Sequence, residues 1–247
     1  MRFLARVLLS LIATGTSLQA EQQHAGPSTD LVNGIDAYNG GNFEAARKAL
    51  QSAVDRGEPE AMVNLGYMYA RGHGVRSDPI YALELYRRAA ETGDGEGMNA
   101  VGYRYNFAPK PDLPKAIHWY CLAVFRGNLR AMNNLALLSY LGQGVKQDRN
   151  EARYLWRQAA VRGNINAKTN LGMDLASDAT VSQAERRTGY EMLRDAALHG
   201  GVLAQEILRK NGDNEPFPPG TVNDLTMKLE PRNPLPGSCH VCGDLVS

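Results

Sequence analysis

Cys239-His240-Val241-Cys242, close to the end of the chain, is the stretch whose residue types and spacing come nearest to chemistry. A C-x-x-C pair serves as a redox dithiol, as half of a zinc site, or as a short-loop disulfide. Haem attachment needs histidine directly after the second cysteine, and Gly243 stands there. Zinc needs about four ligands. The chain has no second C-x-x-C, and His24, His73, His118 and His199 show no ligand spacing. A redox thiol is activated at a helix N-terminus, which proline-rich surroundings do not provide. The leading expectation is a disulfide between Cys239 and Cys242, with redox and metal roles as the alternatives. No metal and no cofactor are expected.

Cys121 is the third cysteine. Its helical register places it off the apolar stripe described below, so it is expected half-exposed. It either pairs with Cys239 or Cys242, tying the chain end back, or remains a partly covered thiol. His118, one turn before it, makes a weak nucleophile–base pair with no third group to orient it. Glu44, Glu84, Glu151 and Glu191 fall on solvated helix faces, and G-x-S-x-G, phosphate-loop and H-E-x-x-H patterns are missing. Gly72-His73-Gly74 reads as a turn. No catalytic residue is assigned.

The elements behind these residues repeat. Gly57, Gly93, Gly127, Gly163 and Gly200 recur at spacings of 36, 34, 36 and 37 residues, the period of helical repeat arrays. Alanine stands four residues before each of them. Leu50, Tyr86, Tyr120, Trp156 and Leu193 stand seven before; Ala46, Ala82, Ala116, Ala152 and Gly189 stand eleven before. These offsets share one helix face. Small residues there let two backbones approach, and each glycine suits the left-handed residue that ends a helix. A second helix pattern follows each glycine, with Ala61, Gly97, Ala131, Ala167 and Ala204 at plus four. Leu65, Val101, Leu135, Leu171 and Leu208 follow at plus eight. The loops Gly72-His73-Gly74-Val75 and Gly142-Gln143-Gly144-Val145 precede Asp78 and Asp148, both suited to capping a helix.

The segments AMVNLGYMYARGHGV…D…ALELYRRAAETG and AMNNLALLSYLGQGV…D…ARYLWRQAAVRG resemble the Sel-1-like repeat family, related to the tetratricopeptide repeat. The resemblance covers roughly residues 30–211, and the first unit reads closer to a plain tetratricopeptide repeat. It implies an all-α, right-handed α-solenoid of about five helix-turn-helix repeats that acts as an adaptor for other proteins. Exported relatives take part in envelope signalling, exopolysaccharide control and host contact. Some cysteine-rich relatives bind or hydrolyse β-lactams, but those carry cysteine in repeat after repeat.

At about 100° per residue, offsets plus three, seven, ten and fourteen of each first helix point away from the stripe. In related arrays that face lines a concave groove, which suits a peptide or a partner helix. The candidate partner-binding residues are Asn64, Tyr67, Arg71, Tyr103, Phe107, Arg130, Asn134, Leu137, Asn170 and Met173. The asparagines read either as peptide hydrogen-bonders or as ties between neighbouring repeats.

Residues 1–20 read as a signal peptide: Arg2 and Arg6, an apolar run from Val7 to Ala13, and Leu18-Gln19-Ala20 before the cut. Removing them takes the formal charge from +1 to −1, which argues against nucleic-acid binding. Residues 21–29 form a polar lead-in, and 30–211 are expected as one elongated domain. Residues 212–247 are expected as an irregular proline-rich tail carrying the C-x-x-C, with one short ordered piece near Asp224–Glu230. The expectation is an exported, periplasmic or secreted protein that binds a protein or peptide partner and is not inserted in a membrane after cleavage.

Overall fold

The structure, a computed structural model, describes residues 26–210 and 240–243. The proposed signal segment, the Asp224–Glu230 piece and Cys239 lie outside the described residues. Every regular element among the described residues is a helix. In chain order these are α1 Thr29–Asn39, α2 Phe43–Asp55, α3 Pro59–Arg71, α4 Pro79–Glu91, α5 Gly95–Asn106 and α6 Leu113–Phe125. They continue with α7 Leu129–Leu141, α8 Arg149–Val161, α9 Ile165–Ser177, α10 Gln183–Leu198, α11 Val202–Lys210 and α12 His240–Gly243. The fold is an all-α helical-repeat solenoid in which α1/α2, α5/α6, α7/α8 and α9/α10 are paired helices.

Contacts divide the chain into two compact units, one up to Ala82 and one from Leu83, where the sequence leads to a single elongated domain. A repeat array has no central core, because each pair packs only on its neighbours.

The stripe read from the sequence is the core. Ala46, Leu50 and Ala53 are fully buried in the first unit. In the second, Ala116, Tyr120, Ala123, Ala152, Leu155, Trp156 and Ala159 are buried too. Glycine at the crossings is a steric demand. A Cβ at Gly102 would lie 2.7 Å from the Tyr120 ring, and one at Gly172 only 2.8 Å from the Gly189 carbonyl oxygen. The closing glycines take left-handed backbone, with φ from 77° at Gly127 to 92° at Gly163, where a side chain is strained.

Helix starts follow the sequence. Asp78 and Asp148 each accept two backbone N–H bonds at the starts of α4 and α8. Asp94, Asp112, Asn128 and Asn164 cap α5, α6, α7 and α9. Ser182 and Glu185 form a reciprocal capping box on α10.

The last described first helix differs at one register position: where Gly66, Gly102, Ala136 and Gly172 stand in the earlier repeats it has Arg209. The position of Met62, Met98 and Met132 is already Lys168 in α9 and is Gln205 here. Gln205 and Arg209 are exposed. No second helix follows directly on α11 within the described residues.

Candidate functional site

The first helices α3, α5, α7 and α9 carry the predicted site residues, which fall on both units. In the first unit, Tyr67 is 42% exposed and sets its edge against Tyr38 and His73, with ring centres 6.2 and 5.9 Å apart. The Arg71 guanidinium lies 5.5 Å over the Tyr67 ring, a cation–π contact. The Tyr38 hydroxyl and His73 Nδ1 are 2.7 Å apart, and the His73 ring stacks on Phe43 at 5.4 Å. Burial pushes the Tyr38 phenol above its ordinary pKa. Sequence reasoning took His73 for a plain turn residue. Its ring fastens the loop to α1 and α2, and the aromatic spacing that could have revealed this spans three helices.

In the second unit the same helix face forms a row of unburied apolar side chains. Tyr103, Phe107, Leu137, Leu141 and Met173 are 43%, 59%, 36%, 49% and 39% exposed. They are the large exposed hydrophobics of the described chain between Tyr81 and Ala197. Tyr103 and Phe107 pack ring on ring at 4.4 Å. Five such side chains in register on successive helices are not the isolated exposures found on any soluble surface. Leu141, which the same outward offset as Phe107 gives from the sequence, extends the row.

The polar members of the set are largely occupied within the chain. Asn64 Nδ2 donates to the Glu60 carbonyl of its own helix at 2.8 Å. Asn134 donates to Asn99 Oδ1 at 3.0 Å, and Asn170 to Asn133 Oδ1 at 2.8 Å, each across to the neighbouring repeat. They are ties between repeats, the second of the two sequence readings. Arg130 is paired with Glu96 at 2.8 Å, and Asn128 donates to the other Glu96 oxygen at 2.9 Å. The Arg130 side chain remains 69% exposed, so this pair adds little stability. Arg130 also borders a shallow depression of about 430 Å³ with Asn164, Ile165, Asn166, Gly200, Val202 and Leu203.

The cysteines depart from expectation. Cys242 is bonded to Cys121, with Cα atoms 5.5 Å apart. The Cys239–Cys242 bond is therefore not the one present, since a cysteine sulfur forms a single disulfide. Cys121 is fully buried rather than half-exposed. Its helix register does point off the stripe, but α12 packs on α6 there and covers it. The arrangement matches the tie-back weighed for Cys121. Cys121 and Cys242 are held in a buried bond, not as the open dithiol a redox site requires.

A cluster missed by sequence reasoning lies between α8 and α9. Arg149 and Arg153 together grip Asp174 and Asp178, whose carboxyls are almost entirely covered. The Thr180 hydroxyl and N–H bind Asp178 at 2.7 and 2.8 Å. These bonds, with the Arg153 guanidinium, hold the Asp178 carboxyl far below the ordinary carboxylate range. Nearby, Lys168 pairs with the buried Asp195. Among the described residues no group of three or more His, Cys, Asp or Glu is placed to hold a metal.

Antiparallel helix pairs crossing at small residues, with one helix face left apolar, define a helical-repeat protein. More particularly, residues 59–94, 95–126 and 129–164 match the Sel1 repeat, so the chain carries three Sel1 repeats in a tetratricopeptide-like helical fold. The crystal structure of a Sel1 repeat protein from Oxalobacter formigenes is similar, with 27% identity and a TM-score of 0.61. That similarity covers 90% of this chain and 98% of the other. A Sel1 repeat protein from Klebsiella pneumoniae shares the fold at 17% identity and TM-score 0.52, over 74% of this chain and 91% of that one. An exopolysaccharide production negative regulator of Rhizobium leguminosarum bv. viciae is 27% identical over 61% of this chain, which spans 62% of that protein's length. DAP3-binding cell death enhancer 1 of Rattus norvegicus is 26% identical over 56% of this chain, which spans 35% of its length. Sel1 repeat proteins are generally protein-interaction scaffolds.

Proposed function

We propose that this chain is a non-enzymatic interaction scaffold of the bacterial cell envelope, which binds a peptide or protein partner and so regulates or assembles it. The observation that carries the reading is the row Tyr103, Phe107, Leu137, Leu141 and Met173, exposed at matching offsets of successive repeats in the second unit. Helices fixed by glycine and alanine crossings present these side chains already in place, so binding spends little on ordering the array. Each apolar side chain that a partner covers contributes up to roughly 1.5–3 kcal/mol.

Export is supported by the charged, apolar and small-residue order of residues 1–20. It is also supported by the Cys121–Cys242 pairing, since disulfides persist in oxidising compartments. Among the described residues no helix is long and apolar enough to cross a membrane. The Rhizobium relative's role in exopolysaccharide regulation is consistent with an envelope setting.

The test places a photo-crosslinking amino acid at Leu141 and, separately, at the exposed Glu84 of a second helix, in cells of the native host. The expected outcome is a discrete set of crosslinked envelope proteins from Leu141 alone. That set should be lost when Phe107→Ser, Leu137→Ser and Met173→Ser are combined, with thermal stability retained. Equal capture from both positions, or capture unaffected by the triple substitution, refutes the assignment.

A further inference from the structure

Each second helix has a seat ten residues before its closing glycine, occupied in turn by Arg47, Leu83, Ile117, Arg153 and Tyr190. Two of the five are arginines, and the structure treats them differently. Arg153 is 17% exposed and bonded to both Asp174 and Asp178, with Arg149 gripping the same two carboxyls. The repeat register places Met68 and Gly72 where those aspartates would stand relative to Arg47. Among the described residues, Arg47 thus occupies an arginine seat without carboxylates at those two register positions. Glu44, one turn before it, is engaged by Lys48 at 2.8 Å.

The seat opens onto a hollow of about 550 Å³ lined by Arg47, Tyr69, Val75, Arg76, Ser77 and Asp78, all within the first unit. Among the described residues neither Arg47 nor Arg76 has a hydrogen bond or an ion pair. Asp78 is the one carboxylate on the wall, and its Oδ1 already caps α4 by accepting from Ile80 and Tyr81 at 3.1 and 3.0 Å. The loop is fixed rather than free to fill the space. Gly72 and Gly74 hold left-handed backbone, and a side chain at Gly74 would collide with Phe43, one turn before Arg47 on α2. In the second unit the equivalent place is closed by Ile117, 2% exposed, beneath Gly144.

We propose that this hollow is a carboxylate-binding site for an acidic segment of a protein partner, with Arg47 and Arg76 as its two anchors. Two guanidiniums on two carboxyls is the arrangement around Asp174 and Asp178. There the second arginine, Arg149, stands at the register that Phe43 fills in the first unit, and here the loop residue Arg76 takes its part. An incoming pair of Asp or Glu side chains supplies the missing half. Planar guanidinium forks match carboxyls two bonds at a time, and the Tyr69 and Val75 walls give the peptide stem something apolar to lie on. The site is on the loop edge of the first unit and does not depend on the apolar row being the partner surface.

The test titrates the full oxidised chain with a blocked Asp-Glu peptide, its Asn-Gln counterpart and inorganic phosphate, by calorimetry and amide chemical shifts. The diacidic peptide is expected to bind and the amide peptide not, with shifts at Tyr69 and Ser77. Arg47→Ile, which copies the Ile117 seat, and Arg76→Ala are each expected to weaken binding about tenfold with the melting temperature unchanged. If Arg47→Ile disturbs folding, Arg47→Gln carries the same expectation. The proposal is overturned if the native chain ignores the diacidic peptide or if the variants bind it equally well. It is also overturned if phosphate binds as tightly as the peptide, which would make the hollow a small-anion site.

Discussion

Gly172 shows how much one missing methyl group decides. Its absent Cβ would meet a backbone carbonyl at 2.8 Å and Leu193 Cγ at 3.1 Å. A carbonyl inside a helix has no rotamer with which to step aside. Gly172→Ala should therefore cost about 1–3 kcal/mol, read as a lower midpoint in denaturant with an unchanged slope. Asp178 makes a different kind of prediction. Its carboxyl titrates lower in the folded chain than in the unfolded one, so the stability it provides is complete above the ordinary carboxylate pKa near 3.8. That stability is lost as the pH falls below this value. Thr180→Ala removes the largest cause of the depression. The variant should melt below the native chain at pH 6, and the gap should narrow toward pH 2, as followed by thermal unfolding across that range.

At the scale of the helix, what matters is which faces are left over once the crossings are filled. The plus-four and plus-eight residues of each first helix go inward, and Ala61, Leu65, Ala131, Leu135, Ala167 and Leu171 are fully buried. Plus ten and plus fourteen are left outside, and there the second unit keeps apolar side chains. The last described first helix, α11, departs from this with Arg209 where the earlier first helices have glycine or alanine. Combining Gln205→Met with Arg209→Ala copies Met132 and Ala136 of α7 onto positions that are exposed among the described residues. Beside Val202 and Leu203, already 75% and 51% exposed, that surface should drive self-association. Light scattering should show a concentration-dependent rise in mass that the native chain lacks.

Across the whole molecule the Cys121–Cys242 bond spans 121 residues of sequence. Closing a loop of that length restrains the unfolded chain by about 3–5 kcal/mol in the chain-entropy account. Reduction, or Cys121→Ser, should lower the melting temperature by several degrees, and the serine variant should no longer respond to reductant. Non-reducing peptide maps should recover Cys121 joined to Cys242. The sequence alone determined the repeat period and the helix pairs, from glycines recurring every 34 to 37 residues, and the buried stripe and the Asp78 and Asp148 caps, from offsets within a few turns of helix. It also picked out Tyr103, Phe107, Leu137 and Met173 as an outward row by the same arithmetic. Only the tertiary structure decided how polar and sulfur groups are spent: Asn134 and Asn170 on neighbouring repeats, Arg153 on Asp174 and Asp178, Cys121 beneath α12. Those partners stand 21 to 121 residues apart in the chain. Helical periodicity says which way a side chain faces, but not what another part of the chain brings to meet it.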